Sequence, residues 1–110
     1  FLLEGNVYKN NIETIIEMSN IIDEMINNCL KAFKEKNGEL SKSVIERDDY
    51  VDKLFYKMRD AMVNLIKSST ENADQAIYLM MIAKYFEKMG DHAENIAKWV
   101  YYYSTGDRVK

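Results

Sequence analysis

Four acidic residues carry the chemistry that this 110-residue chain could perform. Asp48 and Asp52 stand four residues apart, and so do Glu87 and Asp91. On a helix, positions i and i+4 share a face, so each pair would present two carboxylates side by side. At 100° per residue, Asp48 lies about 60° from Val51 and about 20° from Phe55, at the edge of an apolar stripe. By the same count Glu87 lies about 60° from Gly90, with Asp91 about 40° further round. If the two helices are antiparallel about a turn near Thr70 or Glu71, facing residues have numbers that sum to about 141. Asp52 then falls opposite Met89, between Glu87 and Asp91. Carboxylates gathered at one level repel one another unless a proton or a cation intervenes, and hard cations favour such oxygen clusters. Glu94 and Asn95 extend the patch by one turn, and Asp49 reaches it from the rim. The competing reading is a solvated face whose acids pair with Lys53, Lys84 and Lys88.

These acids need helices to hold them, and the hydrophobic pattern supplies three. From about residue 6 to 36, Ile12, Ile15, Ile16, Ile22, Met25, Ile26, Cys29, Leu30 and Phe33 recur at spacings of three and four. Asn37-Gly38 is expected to end that helix, since both residues tolerate the left-handed conformation. A second segment, about 41–67, carries Val44, Val51, Leu54, Phe55, Met58, Met62, Leu65 and Ile66 on one side. Residues 68–72 then offer several side chains able to cap a third helix over about 73–103, which stops at Thr105-Gly106. Short connections make neighbours antiparallel, so the expected fold is an all-α, up-down-up, spectrin-like three-helix bundle occupying residues 1–110 as one domain. Helices of about 30 residues would be about 45 Å long. Ala76, Ala83, Gly90 and Ala97 fall seven apart and mark a seam where a neighbouring helix comes close.

Composition narrows the classes. The chain has no proline, four glycines and a formal net charge of −3. An acidic balance argues against a partner bound through nucleic-acid phosphates. Cys29 is the single cysteine, which rules out an internal disulfide and suits a reducing, cytosolic setting. No apolar run approaches the roughly 20 residues of a bilayer span. The first residue is Phe1 rather than Met, so the stretch reads as a fragment or a processed chain. His92 points about 100° away from Asp91, which suggests a supporting or surface position. With one histidine no Ser/His/Asp or Cys/His nucleophile set can be built, and no general base serves a metal-dependent hydrolase. Trp99, Tyr101, Tyr102 and Tyr103 crowd the last turns of the third segment and suit packing or a docking surface.

The stretch from Glu87 to Ala97 reads E-x-x-G-D-H-A-x-N-I-A and is followed by Trp99-Val100-Tyr101 and Thr105-Gly106. Together with Val44-Ile45-Glu46-Arg47-Asp48-Asp49-Tyr50-Val51-Asp52, it resembles the signature of the PhoU family. The likeness runs from about residue 12 to 106 and is densest over 44–54 and 77–106. It implies one PhoU three-helix repeat, the C-terminal one of the two that intact members carry. It also implies that Asp48, Asp52, Glu87 and Asp91 bind a cluster of iron, zinc, manganese or magnesium. The implied role is regulatory rather than enzymatic. A cytoplasmic adaptor at the inner membrane face would link a phosphate ABC transporter ATPase to a sensor histidine kinase and repress the phosphate-starvation response. A second source of such a repeat is the cytoplasmic domain of a sodium–phosphate cotransporter-like membrane protein. Lys98 stands where many members carry glutamate, which trims the charge of the patch. A lone repeat leaves one helix face uncovered and is expected to form a homodimer or to pair with a second repeat.

Overall fold

A computed structural model describes the backbone of residues 5–105 and the side-chain surroundings of residues 11–104. Helix α1 spans Gly5–Glu35, α2 spans Gly38–Ser68 and α3 spans Ala73–Thr105, with a single 3-10 turn at Thr70–Asn72. The three helices pack side by side as the expected up-down-up bundle, elongated to 53 × 21 × 16 Å. The helical boundaries lie within three residues of the sequence expectation, and α3 begins at the expected Ala73; Gly106, read as a stop signal, lies outside the described residues.

The first connection is tighter than Asn37-Gly38 suggested. Lys36 takes the left-handed conformation, with φ of 53°. The Lys36 N–H donates to the Phe33 carbonyl at 3.4 Å and the Asn37 N–H to the Ala32 carbonyl at 2.9 Å, the paired closure of a Schellman motif. Asn37 is thereby freed to begin the next helix: its side chain accepts from the Leu40 N–H at 3.1 Å. Gly38 is the first residue of α2, not the end of α1. At the second connection the Ser69 side chain accepts from the Glu71 N–H at 3.3 Å.

The core is built from flexible and small side chains. Met18, Met25, Met58 and Met62 are fully buried and fill the irregular space between helices. Against them α3 contributes Ala76, Ala83, Gly90 and Ala97, all buried, so the heptad of small residues is the line of close approach. Met18 and Ile21 of α1 belong to the core, whereas Leu30 and Phe33, placed on the stripe by their spacing, are 57% and 67% exposed. They sit on the C-terminal turns of α1, where Phe33 borders an open groove beside Ile96, Trp99 and Tyr103 of α3. Along the α1–α2 edge the Tyr50 hydroxyl donates to Glu17, and Arg47 pairs with Glu24 at 3.4 Å. Such exposed pairs add little stability.

Candidate metal centre

The α2–α3 seam positions the acids. Val44, Val51 and Leu54 are buried, and this rotation carries Asp48 into the bundle, where it is only 3% exposed. Asp52, one turn on, is half-buried at the rim, and Asp91 meets both from α3. Carboxylate oxygens of Asp48, Asp52 and Asp91 all lie within 4.8 Å of one another. Periodicity alone put Asp48 at the edge of the apolar stripe; the close approach of α3 is what buries it.

Gly90 makes that approach possible. A Cβ at this position would stand 2.9 Å from the Asp48 Oδ1 and 3.0 Å from the Ile22 Cδ1. The space that any other residue would fill is taken by a carboxylate. Sequence reasoning read Gly90 only as part of the small-residue seam, although its place between Glu87 and Asp91 was the signal for its second role.

Electrostatics follow from the crowding. Burial pushes the Asp48 carboxyl up to about 7, and the charges of Glu94, Asp52 and Asp91 add to the rise. A hydrogen bond between the Asp48 and Asp91 carboxyls, which needs a proton on one of them, contributes last. Asp52 is raised as well, first by burial and then by Asp91, Glu87, Glu94 and Asp49. The Asp48 Oδ1 is buried with no hydrogen-bond partner.

The flanking glutamates are treated differently. Glu87 pairs with Lys84 at 2.9 Å and Glu94 with Lys98 at 3.6 Å. Glu87 thus stands outside the trio of aspartates but acts on Asp52 through its charge. Glu94 acts on both Asp48 and Asp52, which makes it a closer neighbour than the sequence suggested. Asp49 and Asn95 are exposed, and so is His92. Among the described residues no ion pair ends on Asp48, Asp52 or Asp91. Lys84 and Lys98 are spent on glutamates, while the three aspartates face each other.

Residues 15–100 match the PhoU domain, an interval that contains every acid just described. The chain belongs to the PhoU family. It is 28% identical over 107 residues to a phosphate-specific transport system accessory protein PhoU homolog of Clostridium acetobutylicum, covering 97% of this chain and 49% of that protein. It is 36% identical over 93 residues to the Aquifex aeolicus protein of the same description, covering 84% of this chain and 42% of the relative. With the Zymomonas mobilis protein, also so described, identity is 30% over 108 residues, covering 98% and 46%. The chain therefore spans about half the length of these PhoU relatives.

The donor set of this PhoU bundle suits a hard cation. Three carboxylates supply oxygen ligands only, one of their oxygens is buried without a donor, and a glycine keeps the space for it open. Asp48, Asp52 and Asp91 are the residues that could hold the ion, with Glu87 and Glu94 beside them.

Proposed function

We propose that this chain is a regulatory adaptor of phosphate uptake and signalling whose α2–α3 seam holds a metal ion on Asp48, Asp52 and Asp91. The observation that carries the metal reading is the buried, unpartnered Asp48 oxygen facing two further carboxylates. Leaving such a group without a partner costs a few kcal/mol, and a bound cation would remove that cost. An all-oxygen set favours magnesium, manganese or iron over zinc, which more often takes nitrogen and sulfur ligands.

The regulatory setting is supported by membership of the PhoU family and by relatives described as accessory proteins of the phosphate-specific transport system. In this reading the chain works by contact in the cytoplasm, docking on the ATPase of a phosphate ABC transporter and on a sensor histidine kinase. It restrains the starvation response while phosphate is plentiful. The ion neutralises the seam, holds α2 against α3 and presents a charged rim to the partner. Glu87 and Glu94 complete that rim when their lysines move away. The acids serve as ligands, not as catalysts.

Metal analysis of the purified protein, beside the Asp52→Ala/Asp91→Ala variant, tests the centre. The wild-type protein should retain bound metal and melt higher when metal is added, by about 2.7 kcal/mol at a hundredfold excess over Kd. The variant should do neither. Equal metal content in the two proteins would return the acids to a solvated face.

A further inference from the structure

Between α1 and α2, away from the acidic seam, the core turns polar. The buried seam of α1 runs through Asn11, Thr14, Met18, Ile21 and Met25, alternating three and four. Its first two members, each 7% exposed, are an amide and a hydroxyl where apolar side chains fill the rest. Beside them α2 offers only Ala61 between Met58 and Leu65, and a groove of about 560 Å³ opens there. That volume lies within the range of small-molecule sites. The Asn11 side chain lines the groove and makes no hydrogen bond among the described residues. A polar seam residue can fix register by itself. Register needs neither a cavity nor an unpaired amide, which costs stability when buried.

The two walls of the groove differ in charge. Glu13 and Glu17 line it from α1, and Lys57 and Asn64 line it from α2. Glu17 accepts from the Tyr50 hydroxyl. No ion pair joins Lys57 to either glutamate among the described residues. Opposite charges thus border one opening without closing it.

We propose that this groove binds a zwitterionic α-amino acid with an apolar side chain. Its ammonium group is held by Glu13 and Glu17, and its carboxylate by Lys57 and the Asn64 amide. Asn11 supplies the inner hydrogen bond, and the ligand side chain lies on Met58, Ala61 and Leu65. A ligand with one charge would match one wall and leave the other desolvated. A purely apolar ligand would leave both. All of these residues stand outside the trio of Asp48, Asp52 and Asp91, so the site is independent of the metal reading.

The test is calorimetric titration of the purified protein, with chelator present, by leucine, isoleucine, valine, methionine and phenylalanine. At least one should bind with a Kd below about 1 mM. For the tightest of them, the analogues lacking the ammonium or the carboxylate group should bind at least about tenfold more weakly. Glu13→Gln and Lys57→Met should each weaken binding by a similar factor, at least about tenfold. Lys42→Met, at an exposed lysine fifteen positions away on α2, should leave it unchanged. Ala61→Leu fills the floor of the groove and should abolish binding. Circular dichroism confirms that the variants remain helical. No binding of any of the five at about 10 mM, equal binding of the analogue without its ammonium group, or affinity unchanged in Glu13→Gln or Lys57→Met would overturn the proposal.

Discussion

Asp48→Asn keeps the shape of the buried side chain and removes its charge, which separates what the carboxylate costs the fold from what it offers a ligand. In the unfolded chain this group ionises near its ordinary 3.8, and in the bundle it does so at about 7. Between those values the unfolded chain has released a proton that the folded one keeps. Folding then takes up a proton, and stability falls as pH rises. The contribution is fully present below about pH 4, is lost between about 4 and 7, and stays lost above 7. A rise from 3.8 to about 7 corresponds to at most about 4 kcal/mol, and less to the extent that water reaches the rim at Asp52. Asparagine does not titrate. With chelator present, the variant should match the wild type near pH 4 and exceed it at pH 8 by about 2–4 kcal/mol, or roughly 10 °C or more in Tm. With saturating metal the order should reverse, because the variant has lost a ligand. Thermal melts from pH 4 to 8, at one protein concentration and with or without metal, read all of this. A metal-free variant no more stable than the wild type at pH 8 would show that Asp48 is not a strained, buried acid. The argument for a cation would then lose its main support.

Gly90→Ala sets two effects against each other, since alanine gains about 1 kcal/mol in helix propensity while crowding costs about 1–3 kcal/mol. The atoms at 2.9 and 3.0 Å are side-chain ends that can turn aside, so melting should show a change within about 1 kcal/mol. Calorimetric titration should show metal affinity reduced at least about tenfold, because Asp48 is the group displaced; unchanged affinity would dissociate Gly90 from the site. Lys36→Gly should stabilise the bundle by about 1 kcal/mol, since it removes a side chain from the left-handed region. That is about 4–8 °C in Tm for a chain of this size, and an unchanged Tm would mean that Lys36 bears no strain.

Much of this was legible in one dimension because helices repeat on a short period. The apolar spacings gave three helices, and the small residues at 76, 83, 90 and 97 gave the line along which α3 is approached. The antiparallel pairing of α2 and α3 brings the Asp48–Asp52 step opposite the Glu87–Asp91 step from residue numbers alone. Errors arose where a local pattern had more than one use. Leu30 and Phe33 fit the α1 stripe by spacing but stay exposed on its C-terminal turns. Asn37-Gly38 looked like a helix end, whereas Asn37 caps the following helix and Lys36 takes the turn.

Sequence alone thus determined the helices, their order and the residues that could carry charge at one level, because propensity and periodicity are properties of neighbours in the chain. The depth of each acid was decided by the tertiary structure. Asp48 is buried and raised, Asp52 and Asp91 border it, and Glu87 is drawn off by Lys84. Those differences depend on how closely α3 approaches α2, a distance set by the missing Cβ of Gly90 and by helix rotation, which no spacing along a single helix contains.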